Sequence, residues 1–151
     1  MTIRDQIIEA IVAALNTSRP GGIPEAKRSP YLQLKLDEEN PTDISVYWMV
    51  DDERAEPDMN KAPLQDHEFF VGIDTRAIGD TTAIPERELD PIAEWITKTL
   101  NGNTLGGLVR YMRVARSQIA RSDEVERPAC RMLVTMLVRY QTRWNDASLK
   151  A

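Results

Sequence analysis

Between Cys130 and Trp144 the chain runs fifteen residues without a glycine or proline. Met132, Val134, Met136, Val138, Tyr140 and Trp144 fall on one side of an extended chain. Arg131, Leu133, Thr135, Leu137, Arg139 and Arg143 fall on the other. Period two marks a strand, because successive side chains point to opposite faces of a sheet. The first face is a core face. The second is apolar in its middle and basic at its ends. A strand of this kind is expected inside a sheet, near its centre.

A period near 3.6 appears at the other end of the chain. Ile3, Ile7, Ile8, Ile11, Val12 and Leu15 recur at helical spacing,. Thr2 is placed to cap that helix, with Asp5 three residues on,. The cluster Ser18-Arg19-Pro20-Gly21-Gly22 ends it in a loop,. Pro24 to Pro30 reads as extended loop, and Tyr31–Leu36 as a short edge strand. Ile44–Val50 is apolar on both faces, which predicts an interior strand. A stretch rich in carboxylates follows, with two prolines and no periodicity, and residues 51–66 are expected to form a flexible loop. His67–Arg76 is a second long strand with Phe69, Val71 and Ile73 toward the core, closing a long hairpin with the first. Asp90 is expected to cap a second helix with Pro91 at its first position, where a missing N–H costs nothing. Leu89, Ile92, Ala93, Ile96 and Leu100 form its buried stripe, and Gly102 suits the left-handed residue that ends it. Arg110 to Arg121 admits a short helix at its start and reads as a strand from Val114 on. The turn 122–128 then leads back into the long final strand.

Helices and strands do not alternate with glycine turns in this order. The expectation is a single α+β domain: a mostly antiparallel mixed sheet of four to five strands with two main helices packed on it. At 151 residues the chain suits one domain and can bury roughly two-thirds of its unfolded surface,. No apolar run approaches the roughly 20 residues that span a bilayer. The N-terminus lacks the apolar region of a signal peptide, so a cytosolic protein is expected. A single cysteine, Cys130, excludes an internal disulfide and a cysteine metal cage,.

Charge changes the picture more than composition does. Residues 1–100 carry 10 basic and 20 acidic side chains, a net of −10. Residues 101–151 carry 9 basic and 4 acidic ones, a net of +5, and all the bases but Lys150 are arginines. Such polarity within a small domain fits complementary self-association or two differently charged partners. Arginine favours planar, bidentate contacts.

Candidate chemistry is sparse. His67 is the only histidine, and no nucleophile stands at a suggestive spacing from it,. Asp51, Asp52, Glu53, Glu56 and Asp58 cluster without the glycine and closing glutamate of a calcium loop,. A solvated loop, a docking loop for a basic partner and a weak divalent-ion site all fit them. Gly102, Gly106 and Gly107 lack the following lysine of a phosphate-binding loop and are read as helix termination and close packing. Arg110, Arg113, Arg116 and Arg121 make a basic strip. On a helix the first three share a face; on a regular strand Arg110 and Arg116 share one side, Arg113 and Arg121 the other. Either way they lie beside Arg131, Arg139 and Arg143. Phosphate binding is one use of such a strip, and a protein interface against the acidic half of a neighbouring copy is another. No cofactor and no catalytic residue is expected.

Several segments, in order, are similar to a known family. The amphipathic helix Ile3–Leu15 leads to Pro41-Thr42-Asp43-Ile44-Ser45-Val46-Tyr47, a P-x-x-x-x-V-Y strand. An acidic loop separates it from a second strand. Glu88-Leu89-Asp90-Pro91-Ile92-Ala93-Glu94-Trp95 follows as a helix, then Leu105-Gly106-Gly107-Leu108-Val109, then a closing strand with Val138-Arg139-Tyr140. The set resembles the tail terminator proteins of long-tailed bacteriophages, of the lambda minor tail protein U type. It covers nearly the whole chain, with 20–36 the poorest match. The resemblance implies a virion protein without catalysis. Copies in the host cytoplasm before assembly form a ring, typically a hexamer, on the last ring of the tail tube at the head-proximal end. The ring stops tube polymerisation and presents a surface to head-completion or connector proteins, and DNA only passes through it. The arginines of the strip, Arg131, Arg139 and Arg143, and the carboxylates of the acidic loop are then the expected contacts with neighbouring subunits or tube. The same loop is expected to order only on meeting a tube subunit.

Overall fold

The computed structural model describes residues 2–28, 42–49, 56–57, 64–78, 85–122, 129–143 and 146–150. Its elements are α1 (Ile3–Thr17), β1 (Ala26–Arg28), β2 (Thr42–Trp48), β3 (Glu56–Pro57), β4 (Leu64–Ile78), α2 (Pro85–Leu100), β5 (Tyr111–Ser122), β6 (Ala129–Arg143) and β7 (Asp146–Lys150). The main sheet runs β1-β2-β4-β6-β5, with β3 beside β4 and β7 beside β6. Among the described residues only β1 and β2 pair in parallel; the other pairings are antiparallel. This is the expected α+β architecture.

The two longest strands form its spine. β4 and β6 pair without a break from Leu64↔Arg143 to Ile78↔Ala129. The alternation seen in the sequence is the burial pattern: Met132, Val134, Met136, Val138 and Tyr140 are buried. Phe69, Val71, Ile73 and Ala77 face the same core from β4. β4 begins at Leu64, so residues 64–66, expected in the loop, belong to the strand. Trp144 and the edge strand expected at Tyr31–Leu36 lie outside the described residues.

α1 packs through Ile3, Ile7, Ile8, Ile11 and Leu15, all buried. Its N-terminus is closed as expected: the Asp5 amide donates to Thr2 Oγ1 at 3.2 Å, and the Thr2 hydroxyl donates to the Asp5 carboxylate at 3.0 Å. Near the helix end, Asn16 does something its pattern does not announce. Its side-chain amide donates to the Ala26 carbonyl at 2.9 Å and accepts from the Ala26 N–H at 2.8 Å. That two-point clamp holds Ala26–Arg28 as a strand where the sequence suggested loop. Arg28 adds contacts to Asp5 and Glu9 at 2.8 and 2.9 Å, an exposed network of small worth,.

The second helix starts at Pro85, not at Asp90, and Pro91 lies within it. An interior proline removes one i→i−4 hydrogen bond. The helix continues through it because Leu89, Ile92, Trp95, Ile96 and Leu100 on its inner side are all buried, so packing outweighs the lost bond,. Trp95 extends the expected stripe, and its indole N–H donates to Ser18 Oγ at 3.0 Å, which ties α2 to the end of α1. Gly102, at φ 77°, ends α2 as expected, and its N–H donates to the Met112 carbonyl at 2.8 Å. A Cβ there would meet nothing within 4 Å, so the glycine serves its φ and not close packing,. No helix among the described residues is long and apolar enough to cross a membrane.

Candidate interaction surface

Both helices cover one face of the sheet. The opposite face carries the residues that alternate with the core: Tyr47 and Met49 at the end of β2, Glu68, Phe70, Gly72 and Asp74 on β4, and Arg131, Leu133, Thr135, Leu137 and Arg139 on β6. Gly72 is required at its centre. A Cβ there would stand 2.9 Å from the Tyr47 ring and from Met49 Cγ, so these two side chains lie directly over the bare backbone. Thr135 Oγ1 donates to Met49 Sδ at 3.5 Å from the next strand but one.

Ion pairs frame this apolar centre. Arg131 Nε donates to Asp74 Oδ1 at 2.9 Å, and a second guanidinium nitrogen reaches the other carboxylate oxygen. The Asp74 side chain is only 12% exposed, the Arg131 side chain 47%. The Asp74 carboxylate raises the pKa of the Arg131 guanidinium above its already high value. Burial, then the same carboxylate, pushes the Tyr47 phenol upward,. Arg139 pairs with Glu68 at 2.8 Å, and Arg110 stands 3.6 Å from Asp66.

The basic strip is therefore divided. Arg110, Arg131 and Arg139 each have a carboxylate within their own chain. Arg113 and Arg116 have none among the described residues. They sit on β5, which is a strand from Tyr111 and not a helix at its start. The register to β6 shifts between Val114 and Arg116, so one residue, Ala115, is extra in the ladder,. The bulge corrects the expected sides: Arg113 pairs with Leu137 and Arg116 with Thr135, which puts both on the helix-free face. Arg121 registers with Cys130, the opposite parity, and Arg143 with Leu64. Of the acidic cluster, Asp51, Asp52, Glu53 and Asp58 lie outside the described residues. The backbone of Glu56 registers with Asp66 in β3.

His67 belongs to the packing. Its Nε2 is 2.7 Å from Thr142 Oγ1 and its ring stacks on Tyr140 at 4.8 Å between centroids. Burial, and secondarily the Arg4 charge, lowers its pKa. No group of three or more His, Cys, Asp or Glu among the described residues could hold a metal ion. A cavity of about 730 Å³ opens between the α1–β1 connection and α2, lined by Pro20, Pro24, Pro91, Ile92 and Trp95 among others.

Compared with known proteins, the chain matches no family model and no curated protein.

Proposed function

We propose that this chain is a structural virion subunit: a ring-forming tail terminator that caps the tail tube of a long-tailed phage, stops its polymerisation and offers the surface that joins the head. It performs no catalysis. The observation that carries the reading is the order of the elements with their quoted motifs. An N-terminal amphipathic helix leads to a P-x-x-x-x-V-Y strand paired with a long second strand, then a helix, then a basic strand pair ending in Val138-Arg139-Tyr140. A ring requires a heterologous contact, in which two different patches meet head to tail and close on themselves. The net of −10 in residues 1–100 and +5 in 101–151 supports such unlike contacts, with Arg113 and Arg116 the strip arginines left after Arg110, Arg131 and Arg139 pair within the chain. The hexameric count, the tube and head-completion partners and the place at the head-proximal end of the tail come with the resemblance. The genetic test is direct. Phage lacking the protein should make overlong tails, or tails that fail to join heads. Normal tail length with full infectivity in its absence would end the proposal.

A further inference from the structure

β5 is the outermost strand of the sheet, and no described strand pairs with its outer side. Its backbone groups point alternately to β6 and outward. Near its start the outward groups are taken. The Met112 carbonyl accepts from Gly102, and the Val114 N–H donates to Asn101 Oδ1 at 3.0 Å. Those two bonds fix the phase of the ladder. Past the bulge at Ala115, the residues pointing toward β6 are those opposite Thr135, Leu133 and Arg131, namely Arg116, Gln118 and Ala120. The outward set is therefore Ser117, Ile119 and Arg121. Side chains from Ala115 to Ala120 are all exposed, and Ile119, at 51%, is the most exposed large apolar residue described.

An open strand edge is a template for another strand, and proteins usually blunt it with charge or a bulge. Here both devices lie at one end, and they select the partner instead of refusing every one. Arg113 and Arg116 project on the helix-free face. Arg116 rests on the Gln118 amide, with the amide oxygen turned toward the guanidinium at 2.6 and 3.1 Å, so it is held in place by a neutral group. A two-fold pairing of β5 with a second β5, centred on Ile119, keeps that face common and sets Arg116 of one copy opposite Ser122 of the other, and since β5 carries no carboxylate, neither Arg113 nor Arg116 gains a counter-charge from it,. At the far end of the main sheet, Ala26-Lys27-Arg28 is short and basic, so it is refused as well.

We propose that the β5 edge from Ser117 to Arg121 accepts an extended acidic segment of another protein, added as one further antiparallel or parallel strand. The backbone ladder supplies affinity, and side chains on alternate positions supply choice. Acidic residues meet Arg113 and Arg116 on one face, while apolar residues cover Ile119 on the other. The fitting sequence alternates carboxylate and aliphatic. This goes beyond the capping role and does not depend on it.

The test uses the full chain and a fluorescent peptide, acetyl-Glu-Val-Glu-Val-Glu-Val-Glu-amide, followed by anisotropy at low salt. The acidic peptide should bind, its lysine counterpart should not, and binding should weaken as salt screens the contact. Arg113→Glu with Arg116→Glu should weaken acidic-peptide binding at least about tenfold and allow the lysine peptide to bind. Ser117→Pro should abolish binding of either peptide with the fold intact, because it removes an outward N–H and no bond to β6. Hydrogen exchange should show the Ser117 and Ile119 amides slowing on binding. Failure of the acidic peptide to bind, equal binding of both peptides, or binding that survives both variants would overturn the proposal. So would protection of these amides by self-association alone, which would make a second copy the occupant. Tail-length phenotypes are untouched by all of these outcomes, so the capping role stands or falls separately.

Discussion

Removing one partner of the Asp74–Arg131 pair should cost more from one side than from the other. The pair is asymmetric in exposure: the carboxylate is 12% exposed and the guanidinium 47%. Arg131→Leu strands a nearly buried carboxylate beside Tyr47. Asp74→Asn leaves a guanidinium that can turn into water. Hydrogen bonds to charged groups are each worth about 1.5–3 kcal/mol. Breaking a fully buried pair costs about 3–5 kcal/mol, and an exposed pair about 0–1. This pair lies between those limits, so Arg131→Leu should cost about 2–3 kcal/mol and Asp74→Asn about 1–2. The double variant should cost less than the two combined, by about 1 kcal/mol, because the second change removes nothing still paired. Urea unfolding followed by circular dichroism reads all three. For a chain of this size each kcal/mol is also about 2–4 °C in Tm. Costs below about 0.5 kcal/mol for both single variants would refute the claim that this pair anchors the helix-free face.

Gly72→Ala should destabilise by about 1–3 kcal/mol, since its Cβ would force the Tyr47 ring and Met49 off the sheet; thermal melts would show it,. Asn16→Ala should cost about 1–2 kcal/mol and raise hydrogen exchange at Ala26, whose N–H and carbonyl lose their partner together,. Stability should decline as pH falls below about 6.5. The folded chain holds the His67 pKa under its usual 6.5, so the unfolded chain takes up that proton first,. The loss deepens as pH falls through the folded value, and His67→Gln should flatten the curve in that window.

The long strands were legible because their alternation is a burial pattern. Val134, Met136 and Val138 could be assigned to the core from spacing alone, as could the α1 stripe from Ile3 to Leu15. What was lost was lost for local reasons. The bulge at Ala115 inserts one residue where every neighbour from Ala115 to Ala120 is exposed, so no apolar rhythm records the slip. Arg113 and Arg116 therefore looked opposed and are neighbours. Pro91 reads as a helix start, because its missing N–H is harmless there; the buried Leu89 ahead of it pulls the helix back to Pro85. The strand at Ala26 depends on the Asn16 side chain ten residues away, a contact that neither propensity nor period reveals. Division of the basic strip into paired and unpaired arginines needed the register of β4 against β6, which sets Glu68 beside Arg139 and places Asp74 two positions from Arg76, the residue opposite Arg131.

The most direct measurement of the proposed capping role is electron microscopy of growing tail tubes with the purified protein added. A ring of density at one end of each tube and an arrest of elongation there are expected, at a stoichiometry of one ring per tube. Tubes that lengthen at an unchanged rate in excess protein, with bare ends, would contradict that role.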